Sequence, residues 1–187
     1  MITFTMATIQ QITTAQQLLE ASDLGRCELV RGELIMMSPS GFEHGRIIAN
    51  VTAPLTSFVR QNDLGVVTGA ESGFLIARDP DTVRAPDVGF VRAERVPATP
   101  TKGFFQGPPD LAVEVLSPDD RAGQVLAKVH DWLAAGCRAV WLVDPEARTV
   151  SVCRSGAEMV VLIISDELTG DDVVPEFRLA VAEIFAT

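Results

Sequence analysis

The sequence predicts a single α/β domain of the α+β kind, with a central mixed sheet flanked by helices and opened by an N-terminal helix and a hairpin. Three observations carry this expectation. The run DLAVEVLS is apolar apart from Glu114, which is the pattern of a central strand covered on both sides. It leads through a helical stretch at residues 117–136 into a second buried run, RAVWLVD, so strand, helix and strand follow one another. In the first half Ile47, Ile48, Val51, Leu55, Phe58 and Val59 recur at helical spacing, which predicts a long helix from Phe42 to about Arg60 with Pro54 as its one kink.

The elements follow in order. Residues 13–22, TTAQQLLEAS, open with threonines suited to capping and continue with good helix formers; Gly25 ends this first helix. CELV and ELIMMS flank Arg31-Gly32, two short apolar runs around a link that ends in glycine, which reads as a hairpin. After the long helix, GVVTGAESGFLIA reads as strand, turn and strand. RDPDTVR reads as a loop, and PDVGFV as a strand that Asp87 begins or precedes. Residues 93–109 are rich in proline and lack periodicity, so they form a connection long enough to be a flap. Ser117-Pro118-Asp119-Asp120 combines a capping serine, a proline at the first helical position and acids at the positive end of the dipole, a helix start whose helix runs to Gly136. PEARTVSVCR and EMVVLIIS extend the sheet as antiparallel pairs, with Asp144–Arg148 as the turn. One domain over residues 1–187, with its core from about residue 27 to 165, accounts for the whole pattern.

Composition excludes some functions. Apolar residues make up 47% and charged residues 21%, as in a globular protein and unlike a disordered one. The net charge of -10 opposes a non-specific nucleic-acid coat protein. It does not oppose a nuclease, because carboxylates that hold a metal add to this negative balance and the ion reverses the local sign. Cys27, Cys137 and Cys153 sit in apolar stretches without CxxC spacing, which reads as reduced, buried thiols of a cytoplasmic protein and speaks against zinc. The N-terminus lacks a basic start followed by a long apolar run, and no segment approaches the roughly 18 apolar residues that span a bilayer. The expectation is a soluble protein, not exported, with no membrane partner.

Glu114 is the most informative residue. A carboxylate in a buried strand costs several kcal/mol unless it is paired or bound to metal. Asp87 at a strand end, Glu114 on the buried strand and Lys128 on the next helix have the layout of a two-carboxylate magnesium site. Such an ion polarises a phosphate and acidifies a bound water, and a nearby ammonium positions that water and offsets developing charge. Asp110 also follows a proline, but it stands four residues before Glu114 on one strand, about 13 Å away if extended. That is too far to share an ion, so Asp87 is the better candidate. Plainer readings stand beside these. Asp87 after Pro86 equally caps a turn, Lys128 equally pairs with Asp131 three residues on, and Glu114 paired with Lys128 satisfies the same electrostatics without metal. Trp132 and Trp141 fall at core positions and need no ligand to explain them.

The segments CELVRGELIMMSPSGFEH, APDVGF, GPPDLAVEVLSPDDR and KVHDWLAAGCRAVWLVDPEARTV, in this order over most of residues 27–150, resemble the PD-(D/E)XK nuclease superfamily and within it the Uma-type family of restriction endonucleases. The resemblance implies a restriction-endonuclease-like core, Mg²⁺ or Mn²⁺ held by Asp87 and Glu114, and DNA as substrate. It also implies a homodimer, with terminal strands paired across a two-fold axis. Glu28 in the first strand and His44 near the start of the long helix match the family too: Glu28 would complete the metal shell, and His44 would orient a phosphate or carry a proton. One position departs from the superfamily, whose lysine stands two residues after the glutamate where this chain has Leu116. The lysine function then falls to Lys128, whose side chain, about 6 Å long, reaches back toward Glu114. The resulting reading is a magnesium-dependent endodeoxyribonuclease with Asp87, Glu114, Lys128 and His44 as catalytic residues. The alternative is a catalytically inactive nuclease-fold module for binding or assembly, in which Lys128 neutralises Glu114; the missing lysine at position 116 and the acidic charge favour it.

Overall fold

The threonines before the first helix act as their chemistry suggests. In the computed structural model, which describes residues 11–21, 24–99, 102–118 and 120–187, helix α1 (Ala15–Glu20) is closed by a capping box: the Thr14 side chain accepts from the Gln17 amide, and the Gln17 side chain accepts from the Thr14 amide. Strands β1 (Cys27–Val30) and β2 (Glu33–Met36) then pair as a hairpin, Val30 opposite Glu33. Arg31 and Gly32 take φ of 51° and 76°, so both link residues are left-handed, as a tight two-residue turn requires. The chain continues as α2 (Phe42–Gln61), β3 (Gly65–Thr68), β4 (Phe74–Ala77), β5 (Thr82–Arg84), β6 (Val88–Arg92), a 3-10 turn (Ala93–Arg95) and β7 (Phe105–Gln106). After these come β8 (Leu111–Val115), α3 (Ala122–Ala134), β9 (Ala139–Asp144), β10 (Thr149–Cys153), β11 (Val160–Leu162), β12 (Glu167–Thr169), β13 (Arg178–Ala180) and α4 (Val181–Ile184).

The central sheet is mixed, as expected. It has six strands in the order β11-β10-β9-β8-β6-β3, and its one parallel pair, β8 with β9, is joined through α3. Alternation along β8 decides what each face receives. Leu111, Val113 and Val115 turn to one face, where they pack with Ile47, Val51, Leu55 and Val59 of α2 and with Leu168, Phe177 and Ile184 from the C-terminal elements. Ala112 packs on the other face with Val129 and Trp132 of α3, and Glu114 lies on that side. A second sheet, β2-β1-β5-β4-β7, holds a smaller core in which Leu29, Leu75 and Val83 lie under Ala15 and Leu18 of α1.

Several expectations need correction. The RDPDTVR segment is not only a loop: its last residues form β5, buried throughout, with Val83 paired to both Leu29 and Leu75. A three-residue strand carries too little pattern to announce itself, and its partner β1 comes from a distant part of the chain, where the Arg31 amide donates to the Thr82 hydroxyl. The two strands read from GVVTGAESGFLIA, β3 and β4, belong to different sheets. The helix expected from Ser117 begins only at Ala122, with Arg121 as an N-cap lacking a side-chain bond. The Asp120 carboxylate instead accepts from the Ser117 amide at 2.8 Å, and the Asp120 amide returns to the Ser117 carbonyl at 3.0 Å, closing a separate turn. Asp119, part of the same expectation, lies outside the described residues.

The 93–109 connection is tied to the body where it is described: β7 adds to β4 in parallel, and Phe105 packs against Phe74 with ring centroids 5.5 Å apart. Cys137 and Cys153 are buried, Cys27 is half-buried, and all three thiols are free. Among the described residues no helix is long and apolar enough to cross a membrane.

Candidate active site

The register of β6 against β8 builds the site. Val88, the first residue of β6, pairs with Val113, so Asp87, one residue before the strand, stands near the Glu114–Val115 end of β8. Oδ2 of Asp87 accepts from the Val115 amide at 2.9 Å, which fixes the carboxylate at the strand end. The first turn of α2 delivers His44, whose Nε2 lies 2.9 Å from the Val115 carbonyl oxygen and 3.4 Å from Asp87 Oδ2. Burial works to raise the Asp87 pKa, yet the bonds from His44 and the Val115 amide outweigh it and hold the carboxyl below its ordinary range. The same contact with Asp87 raises the imidazole of His44 against the effect of burial.

Glu114 is only 7% exposed, and both of its oxygens are bonded. Oε2 accepts from Lys128 Nζ at 2.8 Å, so the lysine does reach back from α3, and Oε1 accepts from the indole Nε1 of Trp132 at 2.7 Å. Lys128 and Trp132 stand four residues apart and therefore share one helical face. Burial pushes the Glu114 carboxyl up to about 7 in spite of Lys128, with Asp87 and Glu28 adding to the rise. Burial opposes the charge on Lys128, but Glu114, Glu28 and Asp87 together raise its pKa. One ammonium thus answers to three carboxylates.

Glu28 is the third of them. Its Oε2 accepts from Arg84 Nη1 at 2.8 Å, while Oε1 accepts from the Ala85 amide at 3.0 Å and lies 3.4 Å from Lys128 Nζ. Arg84 is buried as well and bridges Glu28 to Asp131. Asp131 pairs with Arg84 and Arg31 and leaves Lys128 to the strand carboxylates. Asp110 sits at the far end of β8, where it accepts from the Arg92 amide at 2.9 Å and pairs with Arg95 at 2.8 Å. The structure therefore joins Glu114, Lys128 and Glu28 by direct contacts and Asp87 with His44 by another, brings the two sets together at Val115 within electrostatic reach, and adds two residues that the sequence reading passed over. Trp132 was visible only as a core position. Arg84 lay in the segment read as a loop, and nothing local marks an arginine for burial.

A family model, Uma2, described as "Putative restriction endonuclease", fits residues 14–182. The chain belongs to the Uma2 family. The crystal structure of a putative nuclease belonging to DUF820 from Anabaena variabilis superposes with a TM-score of 0.80 at 22% identity, covering 92% of this chain and 97% of that one. At that identity the likeness speaks to the fold, which is therefore a nuclease fold of the restriction-endonuclease type. Among curated proteins no match is found.

The donor set fits the divalent ion implied for this fold. Asp87 and Glu114 supply hard oxygen ligands, and the Lys128 ammonium lies within electrostatic reach of both. Among the described residues no group of three or more His, Cys, Asp or Glu side chains is placed to hold a metal. Mg²⁺ takes one or two carboxylates and keeps several waters, so a donor set of two carboxylates is chemically compatible with it.

Proposed function

We propose that this Uma2 protein is an endonuclease that hydrolyses DNA phosphodiester bonds with Mg²⁺ or Mn²⁺ held by Asp87 and Glu114. The observation that carries the reading is the Lys128 ammonium 2.8 Å from Glu114 Oε2, with the Asp87 carboxylate anchored 2.9 Å from the amide of the next residue, Val115. When bound, the ion supplies Lewis acidity and a water acidic enough to attack phosphorus. Lys128, kept charged by its carboxylate neighbours, orients that water and offsets the charge that develops on the phosphate. His44 holds a proton at Nε2 between Asp87 and the Val115 carbonyl, which keeps Asp87 turned into the site and adds positive charge where a phosphate approaches. Trp132 fixes the rotamer of Glu114 through Oε1. Nicking of supercoiled plasmid with MgCl₂ or MnCl₂ tests the proposal: wild type is expected to nick and Glu114→Gln is not, and equal rates would defeat the assignment. The exposed apolar residues Val160 and Val161 on edge strand β11 support the homodimer expected for the family, which mass in solution checks.

A second reading has its own observation. Both oxygens of Glu114 are already bonded, by Lys128 and Trp132, which satisfies the carboxylate without an ion and suits an inactive binding or assembly module. Calorimetry with MnCl₂ separates the two, because the nuclease predicts saturable binding that Asp87→Asn abolishes and the module predicts none.

A further inference from the structure

Lys128 sits between two acceptors. Its Nζ is 2.8 Å from Glu114 Oε2 and 3.4 Å from Glu28 Oε1. An ion bound by Glu114 would sit on an oxygen already bonded to the ammonium or to the Trp132 indole, and a cation on either oxygen repels the ammonium. The lysine must then find another carboxylate or be buried unpaired, which is costly. Glu28 meets this need unusually well. Its side chain is 3% exposed, and its orientation is set by Arg84 on Oε2 and the Ala85 amide on Oε1, so it needs no rearrangement to accept. An oxygen of a carboxylate has room for two donors, and Oε1 has so far one short bond, that from Ala85. Arg84 is in turn pinned to Asp131 on α3, the helix that carries Lys128, so acceptor and lysine are held to one frame.

We propose that Glu28 is a positioning residue that takes over the Lys128 ammonium when Glu114 binds the divalent ion, and that Glu28 acts on the ion through Lys128 without ligating it. The inference rests on the metal reading given above and assigns Glu28 a task different from completing the metal shell. Lys128 is accordingly both a competitor of the ion for Glu114 and, once docked on Glu28, the group that remains charged beside the phosphate.

A double-mutant cycle on Mn²⁺ affinity, read by calorimetry on the full chain, tests it. Glu28→Gln is expected to weaken binding about tenfold, since the ammonium then has nowhere to go. Lys128→Met removes the competitor and is expected to tighten binding. In the Lys128→Met background, Glu28→Gln is expected to leave affinity within about twofold. A similar loss in both backgrounds would mean that Glu28 meets the ion directly, and no loss in either would mean that it plays no part; both results overturn the inference while leaving the metal site in place. Absence of saturable Mn²⁺ binding in wild type would overturn the metal reading and this inference together. Should Glu28→Gln fail to fold by circular dichroism, Lys128→Met decides alone: tighter binding than wild type supports the proposal, and equal or weaker binding overturns it.

Discussion

The two ends of the β6–β8 pair carry the same dipeptide and the same hydrogen bond, yet only one end assembles a site. Pro86-Asp87 and Pro109-Asp110 each precede a strand of the pair, and each aspartate accepts at 2.9 Å from an amide of the opposite strand, that of Val115 at one end and that of Arg92 at the other. The antiparallel register makes the two arrangements equivalent as backbone chemistry. Their charge surroundings differ. Asp110 has the Arg95 guanidinium at 2.8 Å, one cation for one anion. Asp87 faces His44, and the Lys128 ammonium lies among Asp87, Glu28 and Glu114, so three carboxylates crowd together with Lys128, Arg84 and His44 interleaved among them. A Pro-Asp pair is thus a strand-end device in both places, and the site arises where β1, β8, α2 and α3 add their charges to it.

The sharpest way to break this comparison is to neutralise each aspartate in turn. Asp87→Asn is expected to lower plasmid nicking at least about 100-fold. Asp110→Asn is expected to leave nicking within about twofold and to cost roughly 2 kcal/mol of stability in urea, since it weakens a buried charge-assisted contact. If both variants lose activity alike, the equivalence of the two ends reaches further than the backbone and the charge argument fails.

The second test is pH, applied to the end where carboxylates crowd together. The folded-state pKa of Glu114, pushed up to about 7, lies above the ordinary value of 4.5. Its contribution to stability is therefore complete below the ordinary value and is lost as pH rises through about 7. Asp87 runs the other way: with its folded pKa held below 3.8, its contribution is present above that value and is lost as pH falls. In EDTA the stability of wild type is expected to fall on going from pH 5 to pH 8 by an amount of the order of 3 kcal/mol, the size of the Glu114 shift. Glu114→Gln should flatten that fall, and excess MnCl₂ should offset it by binding the ionised form. A wild-type curve as flat as that of the variant would remove the evidence for crowded carboxylates.

How much of this was legible beforehand follows the same division. Glu114 announced itself because one charge interrupts an apolar strand, and that pattern is local. The long helix, the capping box at Thr14 and the turn at Asp144, whose side chain accepts from the amides of Glu146 and Ala147, were legible for the same reason. What brings Asp87 near Glu114 is the pairing of β6 with β8 across the 93–109 connection, which no local pattern encodes; the layout of carboxylates on successive strands and the resemblance to the nuclease family suggested the two together. Arg84 was illegible because β5 gains its place from β1, far off in the chain. The start of α3 was misread for the opposite reason: Asp120 satisfies the Ser117 amide in a turn of its own, so a strong local signal for a helix start was spent before the helix began.

The smallest effect concerns Trp132, which has no counterpart beside the Asp110 carboxylate and which makes the crowded end tolerable. Its indole N–H donates to Glu114 Oε1 at 2.7 Å in a buried contact. Trp132→Phe keeps an aromatic ring against Phe74, its edge-on neighbour at 6.1 Å, but leaves that oxygen without a donor. The expected loss is about 2 kcal/mol near pH 8, where Glu114 is ionised, because a bond to a charged acceptor is the stronger kind. At pH 5 the carboxyl is protonated and the same substitution should cost about half as much. Nicking should fall by less than about tenfold, since Lys128 still reaches Oε2 and Asp87 stays anchored at the Val115 amide. A loss that is equal at both pH values would show that the tryptophan acts by packing alone, and that the negative charge of the site is balanced without it.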